Sequence, residues 1–102
     1  MGFFVCYTFI MNHLLFFTGN DCPHCDMMRK LAERLDHEFG ITVDEREIWQ
    51  NETNYRLLEN YLEKKDCPGI PVFVNTQTGV LLCGEITYKQ LQSWAFGGNV
   101  IQ

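Results

Sequence analysis

At 102 residues, with 46% of them hydrophobic, the chain has the length for one folded domain around a single core and not for two. A formal charge of −5, with basic residues adjacent only at Arg29-Lys30 and Lys64-Lys65, excludes a basic nucleic-acid-binding surface. Five cysteines is an odd number, so at least one thiol stays unpaired in a monomer, which argues against an extracellular disulfide scaffold and for a reducing, cytoplasmic setting.

Gly2 to Met11 is apolar, but it has no basic start and no small-residue cleavage site, and it is too short to span a bilayer. It is expected to be retained: residues 1–12 form an extension or an extra strand ahead of a domain over 13–102, with Met11-Asn12-His13 as an alternative start. No membrane association is expected. Leu14 to Phe17 is a continuous apolar run of the kind found in a central strand covered on both faces. Next comes Cys22-Pro23-His24-Cys25, and then a helix over 23–39. Met28, Leu31, Ala32, Leu35 and Phe39 recur there at three- and four-residue steps before Gly40, a natural stop. Ile41 to Trp49 reads as a more exposed strand, with Glu45, Arg46 and Glu47 as a charged face that blunts pairing with other chains.

Asn51 or Thr53 caps a second helix carrying Tyr55, Leu58 and Leu62. After Cys67-Pro68-Gly69, the runs Ile70 to Val74 and Val80 to Cys83 flank the turn residues Asn75 to Gly79 and predict a hairpin. A last helix follows Thr87, with Leu91, Trp94 and Ala95 on one side and Gly97-Gly98 closing it. The order is β-α-β-α-β-β-α.

The chemistry concentrates at Cys22 and Cys25. Two thiols three positions apart at a helix start can close a small disulfide ring. Pro23 suits the first helical position, where its missing N–H costs nothing, and this leaves Cys22 near the N-cap facing unpaired backbone donors. Those donors and the positive end of the helix dipole favour a thiolate, so Cys22 is the expected nucleophile. Cys25, one turn in and less exposed, is placed to attack a mixed disulfide at Cys22 and is the expected resolving thiol. His24, when protonated, favours the thiolate further, while the carboxylates Asp21 and Asp26 oppose it.

The remaining candidates have plainer readings. Cys67 is expected as a buried or turn thiol, with a third redox thiol as the alternative, and Cys83 and Cys6 as small core residues. His13 reads as a strand-start residue and His37 as a solvated helix position. Met27-Met28 read as helix packing, and Tyr88, Trp94 and Phe96 as core or cap residues. A CxxC pair is also half of a zinc or iron–sulfur ligand set, with Cys67 and His24 as further donors, but no second CxxC is present and no metal is expected.

With the dithiol at the first strand–helix junction and Gly69-Ile70-Pro71 opening the third strand, the chain resembles the thioredoxin-like superfamily from His13 to Phe96, nearest its small glutaredoxin-like members. The resemblance implies an α/β, three-layer, glutaredoxin-type fold with a central four-stranded mixed sheet, and thiol-disulfide oxidoreductase activity through Cys22, Pro23, His24 and Cys25. It also implies a cis peptide bond before Pro71 and a substrate backbone held by Ile70. The Pro-His pair is similar to that of the oxidising branch, although this chain has no room for that branch's large helical insertion.

Other positions depart from the family patterns. Thioredoxins carry a buried acid where this chain has Phe16, and a Trp where it has Asp21. Glutaredoxins carry a Gly-Gly turn and an acid where this chain has Gly84-Glu85 and Tyr88. Glu85 repels the carboxylates of glutathione, leaving Gly84 and Thr87 as candidate substrate contacts. No bound cofactor is expected, and glutathione is a candidate co-substrate. The implied partners are disulfide-containing proteins or small thiols, with a reductase or glutathione recycling a monomeric protein. The alternative is a non-catalytic binding module, or a zinc or iron–sulfur protein, that uses the same cysteines.

Overall fold

The computed structural model describes residues 13–63 and 65–102. The expected extension over residues 1–12, with Cys6, lies outside the described residues. Strand β1 (Leu14–Thr18) is buried along its whole length, as its unbroken apolar run requires. It pairs in parallel with β2 (Asp44–Glu47) and antiparallel with β3 (Val72–Asn75), which pairs antiparallel with β4 (Leu81–Cys83). The sheet order is β2-β1-β3-β4, so the charged strand β2 is an edge.

Alternation along β1 divides the core between the two faces of the sheet. Leu14 and Phe16 face one side, with Phe73 and Leu82. Met28 and Leu35 of helix α1 (Pro23–Phe39) cover that side, together with Leu91, Trp94 and Ala95 of helix α3 (Tyr88–Ala95). Phe16 and Phe73 are register partners and stack with centroids 4.6 Å apart, while Trp94 meets Phe73 edge-on at 5.3 Å. Leu15 and Phe17 face the other side with Val72, Val74 and Leu81, covered by Leu58 of helix α2 (Glu52–Leu62) and by Ile48 and Cys67. The result is the three-layer α/β arrangement expected from the sequence.

The helix ends follow local chemistry. Cys22 is the N-cap of α1, with Pro23 as the first helical residue, and Gly40 ends the helix at φ 69°, its N–H donating to the Asp36 carbonyl at 2.7 Å. Of the two expected caps for α2, Asn51 is the one used. Thr87 and Gln90 form a reciprocal capping box at the start of α3. In the β3–β4 turn, the buried Asn75 accepts from the N–H groups of Gln77 and Thr78 and donates to the Trp94 carbonyl at 2.9 Å, tying the hairpin to α3. Among the described residues, no helix is long and apolar enough to cross a membrane.

Candidate functional site

The loop from β1 into α1 turns at Asp21, whose φ of 55° is tolerated by Asp better than by most side chains. That turn delivers Cys22 to the end of the helix. Its Sγ accepts the Cys25 backbone N–H at 3.2 Å, so the sulfur sits against an otherwise unpaired donor of the first turn. Cys22 and Cys25 are joined as a disulfide with their Cα atoms 5.2 Å apart. Both sulfurs are buried, Cys25 wholly so and Cys22 the more exposed of the two.

Cys22 opens onto a groove of about 450 Å³ whose walls come from three parts of the fold. Asp21, Pro23 and His24 supply the α1 side. Ile48 and Trp49 after β2, with Tyr55, Leu58 and Leu62 of α2, supply an apolar wall. Cys67, Gly69, Ile70 and Val72 supply the third. The Ile70–Pro71 bond is cis, as the resemblance implied. Trp49 and Tyr55 are exposed large rings at this groove, where neither was expected from the sequence. Aromatic residues just beyond an exposed charged strand and in the first turn of the next helix were the available signal.

His24 stands out in solvent and pairs through Nδ1 with Glu85, the residue flagged as a repulsive carboxylate. Asp26, expected to oppose the thiolate, is held by Arg29 Nη1 at 2.6 Å. Arg29 also forks onto Glu45 through Nε and Nη2, at 2.9 and 2.7 Å, and Thr18 Oγ1 donates to the same carboxylate at 2.9 Å. The Arg29 hydrogen bond holds the Glu45 carboxyl below the usual glutamate range, against a partial desolvation that acts the other way.

The candidate substrate contacts Gly84 and Thr87 are engaged within the fold. The Gly84 N–H donates to the Pro71 carbonyl at 2.8 Å, and Thr87 Oγ1 accepts from the Gln90 N–H at 3.1 Å. Neither lines the groove, whereas Ile70 does. Cys67 and Cys83, expected as separate thiols, are joined as a second disulfide with Cα atoms 5.5 Å apart. β4 sets Cys83 opposite Val72, and the segment leading into β3 brings Cys67 within bonding reach of it. Among the described residues, no three His, Cys, Asp or Glu side chains converge as a metal-ligand set.

No protein-family model matches this sequence, and no curated protein matches it. Among solved structures, the chain is similar to the glutaredoxin grx-1 from Archaeoglobus fulgidus, with a TM-score of 0.57 and 21% identity over 86% of this chain and 90% of that one. The four-stranded mixed sheet, with a CxxC pair at the start of α1, has the fold of a glutaredoxin, a thioredoxin-like fold.

Proposed function

We propose that the protein is a thiol-disulfide oxidoreductase working through Cys22 and Cys25. The observation that carries this reading is the Cys22 sulfur at the α1 N-cap, bonded to Cys25, under a backbone donor and at the mouth of an apolar groove. In the reduced protein the same N–H and the helix terminus favour a Cys22 thiolate. That thiolate attacks one sulfur of a substrate disulfide, and the other sulfur leaves as a thiolate. Cys25, deprotonated, then attacks the Cys22 sulfur and displaces the remaining substrate thiolate. Two electrons pass to the substrate and the Cys22–Cys25 disulfide closes; a cellular thiol or a reductase reopens it.

The groove favours substrates whose disulfide is flanked by apolar or aromatic groups. His24 is the one basic side chain among the lining residues, and it is paired with Glu85. Asp21 adds a negative charge at the rim, so the anionic tripeptide glutathione serves here as a recycling thiol and not as a tightly held co-substrate. Cytoplasmic residence as a monomer accords with this reading.

The test combines two variants with two substrates. Cys22→Ser abolishes turnover of a peptide disulfide, and Cys25→Ser accumulates a mixed disulfide with it, visible as a mass adduct on the intact chain. Full activity of Cys22→Ser overturns the assignment. A lower KM for glutathione disulfide than for a peptide disulfide flanked by Phe or Leu overturns the substrate preference.

A further inference from the structure

The Cys67–Cys83 bond sits beside the groove and takes no part in the cycle above. Cys83 is the last residue of β4, the edge strand opposite β2, and it is the partly exposed member of the pair; Cys67 is buried and lines the groove. The position of Cys83 is unusual in holding both ends of one short arc of chain. The arc runs from Cys67 to Val72 and includes Ile70 and Pro71. Cys67 is bonded to the Cys83 sulfur, and Val72 is the ladder partner of Cys83 in the β3–β4 register. A single residue thus staples the segment that forms one wall of the groove at which Cys22 lies.

Other contacts hold the fold around this bond. The arc keeps the Gly84 N–H to Pro71 carbonyl bond at 2.8 Å, and Lys65, just ahead of it, keeps its ammonium on the Leu81 carbonyl at 3.1 Å. Cys67 packs with Leu15, Phe17, Ile48 and Leu58, where a free thiol still serves as a small apolar side chain.

We propose that Cys67 and Cys83 form a second exchangeable redox site, open to small dithiol reductants from the Cys83 side, whose oxidised form holds the Cys67–Val72 wall of the groove in place. One thiolate of the reductant attacks the Cys83 sulfur, and Cys67 leaves as a thiolate and takes a proton. The reductant's second thiolate attacks its own sulfur in the mixed disulfide and releases Cys83. The reductant ends as a cyclic disulfide, and the protein has gained two electrons and two thiols. Opening the staple releases the Cys67 end of the arc that carries Ile70. This last consequence rests on the function proposed for Cys22; the site itself does not.

The experiment equilibrates the full chain in mixtures of reduced and oxidised dithiothreitol, quenches in acid, alkylates, and weighs the peptides holding each cysteine pair, with a circular dichroism spectrum at every mixture. A Cys22→Ser/Cys25→Ser double variant is run in parallel. The expected result is a reversible two-electron step on the Cys67 and Cys83 peptides, present in both proteins, with the folded spectrum retained throughout. A bond that opens only in denaturant, a chain that unfolds as it opens, or two sulfurs that alkylate freely at the oxidising end each overturns the proposal. Failure of the function proposed for Cys22 would show separately, as a missing step on the Cys22 and Cys25 peptide while the second step persists. In a rate assay with Cys22 and Cys25 reduced in both proteins, Cys83→Ala exchanges a peptide disulfide several-fold more slowly than wild type whose Cys67–Cys83 bond is closed; an equal rate overturns the link from staple to groove.

Discussion

Gly19→Ala tests how tightly the groove is built onto the end of β1. A methyl at residue 19 would lie 2.5 Å from Trp49 Cδ2 and 2.6 Å from Ile70 Cδ1, against the 3.4 Å at which ordinary contact begins. The Trp49 ring and the Ile70 tip must therefore each give way by nearly 1 Å, and both belong to the groove. Overpacking typically costs about 1–3 kcal/mol. Trp49 is exposed and can swing outward, which places the cost toward the low end. The alanine also restricts the unfolded chain, which offsets about 0.4–1 kcal/mol. The net loss is then about 0.5 kcal/mol, a fall of about 0.25–0.5 M in the urea midpoint if the slope is about 1–2 kcal/mol/M. The groove suffers more than the fold: losing the Trp49 wall raises KM for an apolar-flanked peptide disulfide by roughly tenfold, or about 1.4 kcal/mol. Urea titration, steady-state kinetics and the emission of Trp49 are measured on the same preparation. An unchanged KM together with unchanged Trp49 emission would show that residue 19 has room for a methyl and refute the packing argument.

Three further outcomes follow from the core and its charges. Trp94→Ala removes a fully buried ring and the indole N–H that donates to the Val80 carbonyl, and should cost about 3–5 kcal/mol in urea; less than about 1 kcal/mol would show that the α3 face is not tightly packed. Asn75→Ala strips two turn N–H groups and the Trp94 carbonyl of their partner, an expected loss of about 2–3 kcal/mol, whereas Gln77→Ala on the exposed turn should change stability by less than about 0.5 kcal/mol. Because Arg29 holds the Glu45 carboxyl below its usual range, the unfolded chain binds the proton more readily. The contribution of this pair is therefore complete above the usual glutamate value and disappears as pH falls through the lower folded one. Arg29→Gln should flatten the acid-side loss of stability in that window, and identical acid limbs for variant and wild type would refute the assignment.

Where the sequence pattern was local, the structure followed it closely. The helix expected over 23–39 is Pro23–Phe39, the strand begun at Leu14 gains only Thr18, and Thr87 caps α3, because period, cap and stop signals lie within a few residues of what they determine. The strands shortened more. Ile41 to Trp49 contracts to Asp44–Glu47, since an edge strand lasts only as far as its ladder with β1. The CxxC pair and the cis bond before Pro71 were legible as a motif and as a resemblance. The groove facing them was not, because Trp49, Tyr55 and Leu62 reach it from separate elements whose relative placement is set by the packing of α2 on the sheet.

The partners of the charged groups and of the outer cysteines were hidden for the same reason. Local reading set Asp26 and Glu85 down as nearby negative charge, but Arg29 neutralises the first through a fork shared with Glu45 across α1 and β2, and the second pairs with His24, 61 residues away in sequence. Cys83 read as a small core residue in an apolar run and Cys67 as a buried or turn thiol, neither one a partner of the other. Only the folded hairpin, with Cys83 set against Val72 and the arc leading into β3 running beside it, brings Cys67 and Cys83 together. The parity of the cysteine count, which argued for free thiols, constrains the chain as a whole and says nothing of any one pair; the hairpin register decides that pair. A variant that shifts this register by one residue would turn Cys83 to the opposite face of the sheet and leave Cys67 without a partner, even with every cysteine still in place.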